Sequence, residues 1–191
     1  AIRSRLEALC ERTGLTVPSE PIGSTRPSPN ARGLSGVTRH GLATFGDLFS
    51  PRQQLVLLTF ASAIRQIPLD PLDPERSVAI ADYCAATLDK VISRYSTFSP
   101  WDASYEKVVL VFGKHMLPMV WDYAEAVPIE DGSGTWSTAL ADIVGAIKEG
   151  QGVETAASCR RGSAIDAPDA FGGLDAIITD PPYYDNIPYA D

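Results

Sequence analysis

The sequence predicts an α/β architecture, a mainly helical stretch followed by the start of a parallel sheet. Three observations predict it. Ile80, Cys84, Leu88, Val91 and Tyr95 fall at i, i+4, i+8, i+11 and i+15, which is one face of a helix. Leu140, Ile143, Val144 and Ile147 repeat that period in a second helix. Behind it come two strand-like stretches, 153–158 and the short buried run 174–179, the order in which helices and parallel strands alternate.

Taken in order, Ile2, Leu6, Leu9 and Cys10 have helical spacing with Gly14 as a cap, so the chain is expected to open with a short amphipathic helix. From Pro18 to Gly46 the sequence is rich in Pro, Gly, Ser and Arg without apolar period, and reads as a solvated linker. Ser50 as N-cap and Pro51 at the first helical position begin a helix through Leu55, Leu58, Thr59 and Ser62, which Pro68 ends. Asp73 and Pro74 repeat the signature for the helix of the first stripe. Val108 to Phe112 suits a short strand or a helix start and is read as helix, continuing from Met116 to Val127 with a kink at Pro118. Trp121, Tyr123 and Trp136 are then expected in the core. Ser137 should cap the last helix and Gly150 close it. Three regions result: an N-terminal helix and linker over 1–46, a helical spacer over 47–150, and a catalytic region over 151–191.

Composition narrows the function. At 191 residues and 45% apolar content the chain can build one core. Its apolar runs are far shorter than the roughly 20 residues of a membrane span, and no secretory leader is recognised, so cytoplasmic residence without a membrane partner is the expectation. Cys10, Cys84 and Cys159 lie more than seventy residues apart and His40 and His115 have no second ligand nearby, so no metal site is expected. Residues 1 to 40 hold six arginines against three glutamates, while the rest of the chain carries an acidic excess that brings the total to −8. That is not the basic footprint of a self-sufficient nucleic-acid binder.

The chemistry concentrates at Asp180-Pro181-Pro182-Tyr183, immediately past the run 174–179. In an α/β sheet the carboxyl ends of strands form the ligand crevice. An exocyclic base amine is a poor nucleophile because its lone pair is delocalised into the ring, and two acceptors aimed at its N–H bonds would localise that pair. The ionised Asp180 carboxylate and the Pro181 carbonyl are such acceptors. Pro181 and Pro182 stiffen the loop so that the acceptors are in place beforehand. Tyr183 offers a flat face for a flipped base, worth roughly 1–3 kcal/mol.

The run Thr179-Asp180-Pro181-Pro182-Tyr183-Tyr184-Asp185-Asn186, with Pro188-Tyr189-Ala190-Asp191 behind it, closely resembles the motif of large prokaryotic adenine-specific DNA methyltransferases. Asp47 to Gln53, Leu117 to Glu125 and Trp136 resemble that family's spacer between its cofactor and catalytic halves. The resemblance covers about residues 41 to 191 and implies a partial Rossmann-like methyltransferase sheet preceded by a helical spacer. It further implies S-adenosyl-L-methionine as donor, adenine N6 in DNA as acceptor, and substrate contacts from Tyr184, Asp185 and Asn186. It places Gly162 and Ser163 where such enzymes touch the cofactor's adenine, although an acidic or amide side chain is commoner there.

No FxGxG-like loop for the donor's amino-acid part follows a strand, and Phe171-Gly172-Gly173 precedes the run ending at Asp180 and cannot replace it. Together with the start at Ala1 and the end at Asp191, this predicts an internal fragment, expected to be inactive by itself and to reach DNA through its parent enzyme. Cytosine N4, RNA guanine N2 and protein glutamine N5 are acceptors a related loop could serve. A non-catalytic interaction module is the reading from a different class, favoured by the acidic balance after residue 40.

Overall fold

Local capping chemistry sets the frame of this computed structural model, which describes residues 1–23, 35–113, 116–152, 157–158, 162 and 175–180. Helix α1, Ile2–Thr13, ends where Gly14 takes a left-handed φ of 68° and returns its N–H to the Cys10 carbonyl. Helix α2, Pro51–Arg65, starts at a reciprocal capping box: Ser50 Oγ accepts the Gln53 N–H and Gln53 Oε1 accepts the Ser50 N–H at 2.9 Å. Asp73 caps α3, Pro74–Ile92, by accepting the Arg76 N–H. Helix α4, Trp136–Glu149, begins two residues before the expected Ser137 cap, at Thr135, whose side chain makes no capping bond.

Two apolar clusters hold these elements. Ile22, Val37, Leu48, Phe98, Val111 and Leu117 form one; Leu57, Leu88, Val91, Tyr95 and Ala139 form the other. Phe49 packs against both and joins them. Helix α2 lies against α1 and α3, and α3 against α4. Full burial of Leu48 or Val91 contributes about 1.5–3 kcal/mol each. The stretch expected as a solvated linker enters this core. Gly36–His40 and Phe45–Leu48 form short 3-10 helices, Pro21 bridges to Thr44, and Val37 and Ile22 are buried.

The expected stripes are only partly covered. In α3 the stripe is buried from Leu88 to Tyr95, whereas Cys84 is half-buried and Ile80 is exposed. In α4 only Ala139 is buried, while Leu140 and Val144 remain open to solvent. In α2 the buried line runs through Gln53, Leu57 and Ser62 rather than Leu55, Leu58 and Thr59. Because α2 is flanked on two sides, its inner face is set by both neighbours and not by one stripe.

The helix expected over 108–112 and 116–127 is absent among the described residues. Trp101–Asp102 (β1) and Lys107–Val108 (β2) pair antiparallel instead, with Trp101 opposite Val108. Asp102 Oδ1 accepts the N–H groups of Ser104 and Tyr105 and Glu106 takes a φ of 48°, so the turn is closed by local side-chain chemistry. The β-branched Val108, Val109 and Val111 suit the extended course, and Pro118 could not have donated inside a helix. Without helical spacing the aromatic residues part company. Trp136 is half-buried and stacks on Phe60 at 4.9 Å, but Trp121 is 78% exposed and meets His40 edge-on.

The parallel strand expected to end at Asp180 is not formed in the described part, 175–180. These residues make no ladder, and Ile177 and Ile178 are 67% and 96% exposed. A buried parallel strand needs neighbours on both edges and helices on both faces. The described residues supply only the two-stranded antiparallel hairpin. Mixed helix and strand is therefore the architecture, and the start proposed for a strand at 153–158 falls mainly outside the described residues.

Candidate functional site

Of the residues singled out for chemistry, Asp180 and Gly162 are described; Ser163, Pro181, Pro182, Tyr183, Tyr184, Asp185 and Asn186 lie outside the described residues. Asp180 is exposed, at the end of the described stretch 175–180, which has no regular secondary structure. Among the described residues, a Cβ added at Gly162 would meet no atom within 4 Å.

What the fold does bring together are the two stretches assigned to the spacer. Arg52, the second residue of α2, forms a bidentate pair with Glu125: Nε reaches Oε1 at 2.9 Å and Nη2 bonds Oε2. Residues 93–99 form the hub beneath this clasp. The Leu48 carbonyl accepts the Thr97 N–H at 3.0 Å and the hydroxyls of Ser96 and Thr97 at 2.6 and 2.8 Å. Ser93 and Ser99 carbonyls accept the N–H groups of Val111 and Ala124, which ties the hairpin and the 117–126 segment to the end of α3. Gln53 is fully buried beside them.

The electrostatics of this region are structural in kind. The hydrogen bonds and then the charge of Glu125 raise the Arg52 guanidinium above its usual range, so it has no proton to exchange near neutrality. Burial, then the Glu125 charge, pushes the Tyr95 phenol up, with Arg52 opposing. Asp47 is held below the usual carboxylate range chiefly by the backbone N–H groups of Thr44 and Ala43. An ion pair whose Arg52 side chain is 60% exposed, a neutral phenol and a capping carboxylate tie these segments together. Next to the joint, Val56, Tyr95, Ala126, Val127, Pro128 and Ile129 line an apolar groove of about 380 Å³.

No family, curated protein or solved structure matches this chain. Its chemistry must therefore be argued from its own residues. Among the described residues no group of His, Cys, Asp and Glu could hold a metal ion, and no helix is long and apolar enough to cross a membrane. Sequence reasoning overlooked the joint between Arg52 and Glu125, although both residues stood in the quoted stretches. It also overlooked a basic cleft between α3, the hairpin and α4, because an overall charge of −8 hides a local cluster.

Proposed function

We propose that this chain belongs to an enzyme that transfers a methyl group from S-adenosyl-L-methionine to the N6 amine of adenine in DNA, within a Rossmann-like catalytic domain. The observation that carries the reading is the run Thr179-Asp180-Pro181-Pro182-Tyr183-Tyr184-Asp185-Asn186. The donor would supply an electrophilic methyl. Asp180 and the Pro181 carbonyl would accept the two N–H bonds of the amine, concentrating its lone pair on nitrogen as it becomes tetrahedral. Tyr183 would carry the flipped base on its ring. Support also comes from the exposed Asp180 carboxylate, which is accessible to a substrate. The helical body, joined through Arg52 and Glu125, would serve as a rigid spacer beside that domain.

The test is steady-state methyl transfer and DNA binding by the full-length polypeptide, with the product base identified by mass spectrometry. N6-methyladenine is expected. N4-methylcytosine would move the acceptor, and no transfer by the folded wild-type polypeptide would leave the interaction-module reading in its place. Tyr183→Ala should weaken both DNA binding and turnover, whereas Tyr183→Phe keeps the stacking face and should be mild.

A further inference from the structure

Lys90 in the last turn of α3, Arg94 just beyond it and Lys107 on β2 converge on one cleft of about 140 Å³, closed on its far side by Ser133, Gly134, Thr135 and Thr138. We propose that this cleft binds a phosphoryl group, and that in the intact enzyme the group is a backbone phosphate of the nucleic acid. The second clause rests on the methyltransferase reading above; the anion chemistry does not.

Charge, donors and size agree. Asp142 pairs with Lys90 at 3.0 Å and lines the same cleft, so three cations face one carboxylate. Among the described residues Arg94 and Lys107 make no ion pair; Lys107 instead lies 4.6 Å over the Tyr105 ring, which steadies its ammonium without neutralising it. The Arg94 stem passes close to Gly134, where a Cβ would stand 3.1 Å from Arg94 Cβ and 3.6 Å from its Cδ, and Gly134 has a φ of 79°. A guanidinium presents a planar fork suited to two phosphate oxygens.

Hydroxyl and backbone donors complete the wall. Ser133 Oγ accepts the Val108 N–H at 3.1 Å, leaving its own proton to donate. Thr135 does not cap α4; its hydroxyl donates to the Gly132 carbonyl at 3.0 Å. The Pro128 carbonyl takes the Trp136 N–H at 2.8 Å and the Thr135 carbonyl takes the Ala139 N–H, which leaves the Ser137 and Thr138 N–H groups without a partner among the described residues, at the end of the helix where the dipole favours an anion. Asp131 touches Ser137 Oγ at 3.5 Å but does not line the cleft. Ligand pockets for whole small molecules run to about 300–1,000 Å³. This cleft is well below that range, which suits one phosphoryl group and not a nucleoside.

The experiment is an amide NMR titration of the 191-residue chain with inorganic phosphate against sodium chloride at matched ionic strength, followed by binding of a short duplex DNA over a salt series. Phosphate should shift the amides of Ser133 to Thr138 selectively. Arg94→Gln and Lys107→Gln should each weaken phosphate binding by about tenfold, the worth of one charge-assisted hydrogen bond. If DNA is the source, each substitution flattens the log–log salt dependence of duplex binding by about 0.9. Phosphate binding lost in the variants with duplex binding unchanged would assign the cleft to a free phosphoryl ligand and still support it. Shifts equal in chloride and phosphate, or unchanged phosphate binding in both folded variants, would overturn it. Neither readout depends on methyl transfer, so failure of the catalytic reading is seen separately, as absence of methylated base.

Discussion

Leu48 and Ile178 are both large aliphatic residues in short apolar runs, yet one is wholly buried and the other is 96% exposed. Around Leu48 every requirement of burial is met by the same body: its carbonyl takes three donors from residues 96 and 97, and its side chain sits among Ile22, Val37, Phe98, Val111 and Leu117. Around Ile178 the described residues offer neither a strand to pair with nor a face to cover it. Burial of an apolar run is thus decided by its backbone partners as much as by its hydropathy, because an unpaired buried N–H or C=O costs about 1–3 kcal/mol.

The two regions should consequently fail in different currencies when mutated. The largest effect expected is on rate. Asp180→Ala in the full-length polypeptide should lower turnover by roughly 10²–10³-fold, the range for one preorganised transition-state contact. DNA affinity and thermal midpoint should stay close to wild type, because Asp180 is exposed. Near-normal turnover in steady-state assays would remove the central residue of the activation chemistry.

In the hub the loss should be stability. Leu48→Ala is expected to cost about 2–5 kcal/mol through lost burial and the cavity left behind, read as a shift of the urea midpoint. A loss under 1 kcal/mol would place the true core elsewhere. Gly46→Ala tests the same wall differently. A Cβ there would collide with the Pro18 carbonyl and crowd Val17 Cγ1, while Gly46 N–H already bonds that carbonyl at 3.0 Å. Overpacking of this kind costs about 1–3 kcal/mol, and calorimetric melting would measure it.

Smaller effects belong to the caps. Ser50→Ala removes one side of the box with Gln53 and should cost about 1 kcal/mol. Asp47→Asn should show itself mainly through pH. Its carboxyl is depressed in the fold, so its contribution is complete above the unfolded carboxylate pKa of about 4 and is lost as pH falls through the lower folded value. The stability gap between wild type and Asp47→Asn should therefore be present at neutral pH and close in acid. A gap that is constant down to pH 2 would contradict the hydrogen bonds from Ala43 and Thr44.

Signals spanning three or four residues were readable from the chain alone. Ser50-Pro51 with Gln53, Asp73-Pro74 with Arg76, and Gly14 behind Cys10 start or stop helices through bonds between near neighbours, and each stands where its residue types put it. The tetrapeptide Asp180-Pro181-Pro182-Tyr183 is a signal of the same local kind, and the chemistry proposed for it rests on the sequence alone. Two outcomes depended on partners distant in sequence. Arg52 found Glu125 seventy-three residues away, and Lys90, Arg94 and Lys107 met residues 133–142 only where α3, the hairpin and α4 come together. Periodicity reports which residues could be buried, and caps report where a helix begins. Which face is covered, and which charges converge, follows from the free energy of assembling distant segments, which no local window contains.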